Sequence, residues 1–297
     1  MLSIILGILF SATLVLCFKY FEIWRIHTVQ AIGVNYLVAS ALGFAFAKSE
    51  NFGQISGDAE WMWFALGMGV LFIVTFIAVS KTAQNIAVSV AMVASKMSLV
   101  IPLSFAVFFL NESMTTLKII GILLSLGGVV LAVIRPKDEV QTKHHTGFLM
   151  KLFLPALVFI GSGSVDASFK FVETRYMNTV DTYLVMAFCY GGAGVCGLLL
   201  NGYQWLSHRK IPDKRTIIGG IVLGVLNFYS FYFVLLALHI PKLDSTIVVP
   251  VVNVGILVVS TLSAVILFKE KLSPINILGV ILSVIAIGLV AFDYVVH

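Results

Sequence analysis

Between Lys81 and Glu112 the chain carries one charged residue, Lys96. The apolar segment 87–110 around it predicts a helix. Lys96 lies nine residues into that segment, roughly 14 Å along it at about 1.5 Å per residue. That depth is near a bilayer midplane, too far for the side chain to reach either interface. A charge there costs at least about 3 kcal/mol, so the helix is expected to turn Lys96 toward a polar cavity. Two chemistries suit it. The ammonium can pair with an anionic group on a bound molecule, or it can release a proton, because desolvation lowers a lysine's pKa. The structural alternative is an ion pair that only fixes helix packing. Asp166, in the predicted helix 149–169, is the natural partner. Three residues from the end of that segment, it is shallower than Lys96. It reads either as a proton or cation site or as an interfacial carboxylate paired with Lys170 at i,i+4 spacing.

Amides and phenols inside apolar segments form a second tier. They are Asn35 and Tyr36 in 28–47, Tyr183 and Tyr190 in 180–200, Asn227, Tyr229 and Tyr232 in 216–238, and Asn253 in 244–268. Such groups can orient a ligand in a mostly apolar pocket, or they can tie helices together at about 0.6 kcal/mol per bond. The candidate substrate-binding set is Lys96, Asp166, Asn35, Tyr36, Asn227, Tyr229 and Asn253. Catalytic and metal-binding groups are not expected. His27, His144, His145, His208, His239 and His297 lie in or near predicted loops and form no HExxH. Cys17, Cys189 and Cys196 sit in apolar segments without metal spacing. No Gly-rich phosphate loop ends in Lys-Ser or Lys-Thr, so ATP and other cofactors are not expected. Glu112 and Glu270 end predicted helices and read as carboxylates for the backbone donors opening the next helix. Asp244 reads as a helix N-cap. Pro102 and Pro250 fall inside predicted helices as kinks.

The elements that carry these residues follow from composition. Of 297 residues, 60% are hydrophobic and 11% charged, and the mean hydropathy is +1.05. A soluble domain has roughly 25% charged residues; this chain lacks the polar surface to disperse itself in water. None of Asp, Glu, Lys or Arg occurs in 27–47, 61–80, 119–134, 182–208, 216–241, 245–268 or 272–292. About 20 such residues span a bilayer's hydrocarbon. The expected helices are 2–18, 28–47, 61–80, 87–110, 116–134, 149–169, 180–200, 216–238, 244–268 and 274–294. The first lacks a basic n-region and a small-residue cleavage site, and is read as retained. Gly191, Gly192, Gly194 and Gly197 crowd one segment, and Gly220 with Gly224 forms a GxxxG, both signals of close helix packing. The formal net charge of +5 comes from loop lysines and arginines and reads as topology information, not a nucleic-acid surface.

The chain repeats itself. Phe18-Lys19-Tyr20-Phe21-Glu22 returns as Phe169-Lys170-Phe171-Val172-Glu173, and Thr28-Val29 as Thr179-Val180, at an offset of 151. Glu112, Gly121 and Ser125 return as Glu270, Gly279 and Ser283 at an offset of 158. A five-helix unit has an odd count, so the second copy enters the membrane from the opposite side, the inverted ground plan of many secondary transporters. The expected division is a first repeat, 1–135, a connecting loop, 136–148, and a second repeat, 149–297. The fold class expected is an all-α membrane protein of ten transmembrane helices, arranged as two inverted repeats around a central cavity.

Each half has a glutamate after its fourth helix, in Phe109-Leu110-Asn111-Glu112-Ser113-Met114 and Leu267-Phe268-Lys269-Glu270-Lys271-Leu272, with a glycine nine residues on. With the length and the repeat, this resembles the ten-helix EamA-type permeases of the drug/metabolite transporter superfamily over nearly the whole chain. That family usually places Gly before this Glu, where Asn111 and Lys269 stand here. The resemblance implies a basket of helices around a central cavity and export or exchange of metabolites. The expected function is a secondary active carrier of a small metabolite working by alternating access, with proton coupling or exchange. The alternatives are a lipid or isoprenoid-phosphate flippase, with Lys96 meeting the phosphate, and an intramembrane enzyme. The partners expected are a small-molecule substrate, the bilayer and protons, with no nucleic acid and no ATP, in a bacterial cytoplasmic membrane. Thirteen loop Lys and Arg lie on the side of the odd-numbered connections and five on the other. The positive-inside rule therefore puts both termini outside the cytoplasm, whereas the resemblance implies that both are cytoplasmic.

Overall fold

The protein is described by a computed structural model covering residues 2–55, 59–102, 104, 115–133, 148–176, 180–208, 211–238 and 245–296. Ten α-helices occur among them: α1 (Leu2–Ile23), α2 (Thr28–Phe46), α3 (Glu60–Asn85), α4 (Val88–Met97), α5 (Thr116–Val133), α6 (Phe148–Tyr176), α7 (Thr182–His208), α8 (Lys214–Leu238), α9 (Ser245–Phe268) and α10 (Pro274–Val296). A 3-10 turn over Ser49–Gln54 joins α2 to α3. No strand occurs among the described residues. Each described helix falls on one expected segment, and of 87–110 α4 covers Val88–Met97. Seven of the helical segments are long and apolar enough to cross a bilayer, and shorter apolar helices cover Val88–Pro102, Ile119–Leu131 and Pro274–Val290. Glu112, Asp244 and the connecting loop to 147 lie outside the described residues.

Several helices outrun their apolar segments. α1 continues through Lys19 and Glu22, α3 through Lys81 and Gln84, and α6 through Lys170, Glu173 and Arg175. Lys, Arg, Glu and Gln are good helix formers. The apolar run marks the hydrocarbon thickness, while the backbone keeps its ladder into the interface. α1 stops by backbone geometry. Arg25 takes φ 55, with Ile26 N–H donating to the Phe21 carbonyl (2.8 Å) and Arg25 N–H to Glu22 (3.2 Å). This is the left-handed helix end that glycine usually supplies.

The described chain forms two compact units. One holds Met1–Lys19, Ala78–Gly163 and Tyr229–His297, the other Tyr20–Ile77 and Ser164–Phe228. Each draws on both halves of the sequence, and the boundary falls inside α1, α3, α6 and α8. In the first unit α5 lies along α10. A Cβ on Gly128 would stand 2.7 Å from Ser283 Oγ and 3.2 Å from the Gly279 carbonyl, so the backbones approach where small residues permit it. Asn276 Nδ2 donates to the Leu131 carbonyl (3.1 Å) along the same seam. α4 packs on α9, α5 and α10. In the second unit α2 lies along α7, with Gly33 against Gly197, Gly43 against Ala187, and Ser40 Oγ donating to the Ala187 carbonyl (2.8 Å). The GxxxG of α8 also packs as its pattern suggests. Gly220 meets Ala31 and Val34 of α2, and a Cβ on Gly224 would stand 2.6 Å from the Asn35 carbonyl.

Candidate functional site

Lys96 sits in the last turn of α4, half-buried, with Nζ donating to Asn253 Oδ1 of α9 (3.0 Å). α4 is shorter than its apolar segment. It ends at Met97, a turn occupies Ser98–Leu99, and helical geometry resumes at Val100. Pro102 supplies the reason. It has no N–H for the Ser98 carbonyl and its ring crowds that carbonyl; Ile101 N–H bonds it instead (2.8 Å). Ser98 Oγ folds back on the Ser95 carbonyl (2.5 Å). Lys96 therefore stands beside an interruption, where backbone carbonyls turn outward and favour a cation. The expected kink at Pro102 is a full break, one turn from the ammonium. Ser162 of α6 donates to Ser95 Oγ (3.1 Å), adding two hydroxyls on the residue next to Lys96.

The other end of α4 is held by Glu270. Val88 N–H donates to Oε1 (2.7 Å), and Ser89 donates to Oε2 through both its N–H (3.3 Å) and Oγ (3.0 Å). A carboxylate on a helix N-terminus satisfies orphan donors and matches the macrodipole. The sequence suggested that Glu270 would serve the helix that follows it. It serves α4 instead, because α10 has its own cap: Asn276 N–H donates to Ser273 Oγ (3.2 Å), and Ser273 N–H to Asn276 Oδ1 (3.1 Å). That reciprocal pair leaves the carboxylate to reach across the unit.

Of the other expected site residues, Tyr229 falls in the same unit as Lys96 and Asn253. It packs in an aromatic cluster with Phe10, Tyr232 and Phe233, at centroid distances of 5.9 Å to each. Asn35, Tyr36, Asn227 and Asp166 fall in the second unit. Asn227 Nδ2 donates to Asn35 Oδ1 (3.2 Å), joining α8 to α2 in a buried amide pair. Tyr36 is buried, with its hydroxyl on the Phe72 carbonyl (3.0 Å) and its ring against Phe76 and Tyr190. Asp166 is exposed. Because α6 runs on to Tyr176, Asp166 stands ten residues from the helix end, not three. That is about 15 Å of rise along the helix, but Lys170 still closes the apolar run, so Asp166 keeps its place near the end of the hydrocarbon crossing.

One acid escaped the sequence reading. Asp293 of α10 is buried, 1% exposed, and accepts a hydrogen bond from Thr115 Oγ1 at the start of α5. Its signal was its place, directly after the uncharged run that ends at Phe292. Among the described residues no group of three or more His, Cys, Asp or Glu could hold a metal ion.

Seven helical segments long and apolar enough to cross a bilayer define an integral, multi-pass membrane protein. The family model of EamA-like transporters matches residues 1–134 and 154–292, and the chain belongs to that family. It is therefore a membrane transporter of small molecules. An uncharacterized protein of Haemophilus influenzae is 28% identical over 297 residues, 96% of either chain. A solved crystal structure, 17% identical, matches with a TM-score of 0.59 over 97% of this chain and 94% of that one, a likeness of fold.

Proposed function

We propose that the chain is a secondary carrier that moves a small anionic metabolite by alternating access, with Lys96 and Asn253 as the anion-binding pair. The observation that carries this is the Lys96–Asn253 hydrogen bond beside the interruption of α4. The break in α4 and the Asn253 amide place a half-buried ammonium and an amide side by side, a donor set that suits a substrate anion. Interrupted helices are where carriers build their sites. Tyr229 completes the site on the same unit, and Asp166 is the proton-responsive group of the other. Asn35, Asn227 and Tyr36 serve by fixing α2 to α8 and to α3 in that unit.

Ten crossings in two inverted repeats, 1–135 and 149–297 with a linker between, belong to the same reading. Two matched segments of similar length support the duplication. So does the packing: α5 pairs with α10 and α2 with α7, equivalent helices of the two halves. The likeness to a bacterial protein supports a bacterial cytoplasmic membrane. Proton coupling or exchange would drive the cycle.

The test is transport of a metabolite panel into proteoliposomes, with and without a pH gradient, by the wild type, Lys96→Ala and Lys96→Arg. Loss of anion transport in a folded Lys96→Ala, with partial return in Lys96→Arg, supports the reading. A folded Lys96→Ala that moves anions as well as wild type ends it. A wild type that moves no soluble anion but scrambles phospholipid makes the flippase the answer.

A further inference from the structure

The start of α3 and the end of α6 enclose a cleft of about 560 Å³, lined by Glu60, Phe64, Phe171, Arg175 and Tyr176. Its walls are aromatic. Phe64 and Phe171 lie 5.1 Å apart by centroid, and Tyr176 stands edge-on to Phe171 at 6.4 Å. Its rim holds one carboxylate and one guanidinium. Tyr176 Oη donates to Glu60 Oε2 (3.3 Å), and the Glu60 side chain is exposed. Arg175 is exposed beside it. Glu60 is the first residue of α3 and Tyr176 the last of α6, so the cleft stands at a membrane surface.

An apolar track leads away from it. Down α3, Phe64, Gly67, Leu71 and Val74 follow one another at three- and four-residue steps, and all are exposed. Trp63 and Val70 flank them, 62% and 51% exposed. A Cβ on Gly67 would meet nothing within 4 Å, so the track carries a notch one turn below Phe64.

We propose that this cleft and track bind one zwitterionic phospholipid of the phosphatidylethanolamine type. The lipid phosphate sits on the Arg175 guanidinium, which suits phosphate geometry. The ammonium sits between the Glu60 carboxylate and the faces of Phe64, Phe171 and Tyr176, where cation–π attraction adds to the charge pair. One acyl chain lies over Gly67 and along Leu71 and Val74. Opposite charges on one rim fit a headgroup that carries both signs, and an apolar face running from that rim into the bilayer fits a molecule with a tail. A lipid here holds α3 to α6 at their interfacial ends, independently of the carrier reading.

The test uses the full chain in detergent, titrated with phosphatidylethanolamine and phosphatidylglycerol of identical acyl chains, with bound lipid read by native mass spectrometry. One phosphatidylethanolamine is expected to bind several-fold more tightly than phosphatidylglycerol. Glu60→Gln removes that preference, a change of roughly threefold to fivefold for an exposed charge pair. Arg175→Gln weakens both lipids, and Gly67→Leu, which fills the notch, weakens both without altering their ratio. Glu60, Arg175 and Gly67 are exposed, so no variant should melt below the wild type in lipid-free detergent, and binding is compared among those that do not. An unchanged lipid ratio in Glu60→Gln overturns the proposal. So does tailless glycerophosphoethanolamine binding as tightly as the lipid, which would make this a site for a soluble headgroup.

Discussion

Gly69 and Gly67 lie on the same helix two residues apart, and the same substitution should act on them in opposite directions. A Cβ on Gly69 would press on the α7 backbone, meeting Ala193 N and standing 2.5 Å from Gly192 C and 2.7 Å from Gly192 Cα. Carbon atoms in ordinary contact are about 3.5 Å apart, so α3 and α7 must part by about 1 Å over that turn. Backbone cannot rotate out of the way as a side chain can. Overpacking of this kind costs about 1–3 kcal/mol, and alanine's better helix propensity returns about 1. Gly69→Ala should therefore lose up to about 2 kcal/mol. A Cβ on Gly67 meets nothing within 4 Å, so Gly67→Ala should keep the propensity gain of up to about 1 kcal/mol. The propensity gain is common to both, so the two variants should differ by the overpacking cost, about 1–3 kcal/mol. The assay is reversible unfolding of the purified chain in mixed micelles of rising SDS fraction, followed by helical circular dichroism. Two variants that unfold together would refute the close crossing of α3 and α7.

Three further outcomes follow from other contacts. Glu270→Ala strips the α4 N-terminus of its acceptor and should cost about 1–2 kcal/mol, at or above an ordinary cap because two amides and a hydroxyl are involved; hydrogen exchange at Val88 and Ser89 should rise, and to a lesser degree in Glu270→Gln. Lys269 holds φ 53. Lys269→Gly should relieve about 1–2 kcal/mol of left-handed strain against about 0.5–1 of added chain entropy, a small net gain in SDS unfolding that Lys269→Ala does not share. Asp213 caps α8, accepting from Thr216 N–H (2.9 Å), and the Thr216 hydrogen bonds hold its carboxyl below the usual 3.8. A lowered folded value means the cap is fully present above pH 4 and is lost as pH falls through that lower value. Acid should therefore speed amide exchange at the start of α8 in the wild type, and Asp213→Asn, which caps without titrating, should show no such acid step.

The order and number of helices were legible because each is announced by an uncharged run bounded by loop charges, a signal local to the chain. Their ends were not. Lys170, Glu173 and Arg175 look like the close of a span, yet they extend α6 by two turns, because charge ends the hydrocarbon crossing and not the backbone ladder. Pro102 was legible as a kink, but the full break beside Lys96 also needs the Ser98 hydroxyl to close on the Ser95 carbonyl. That is a local competition that the proline by itself does not decide.

Polar partners were legible only where the repeat or spacing names them, and most are tertiary. Nothing in one chain's order tells that Lys96 meets Asn253, 157 residues away, or that Asn35 meets Asn227. Glu270 is the instructive case. Its neighbourhood suggested α10, yet the Ser273–Asn276 pair already satisfies that helix, so the carboxylate is spent on α4. The residue before it completes the logic. Lys269 occupies a left-handed position, a conformation that glycine takes without strain. The turn that lets α9 end is the same turn that aims Glu270 at the helix carrying Lys96. Relaxing it with Lys269→Gly and emptying it with Glu270→Ala should therefore move the α4 end in opposite senses.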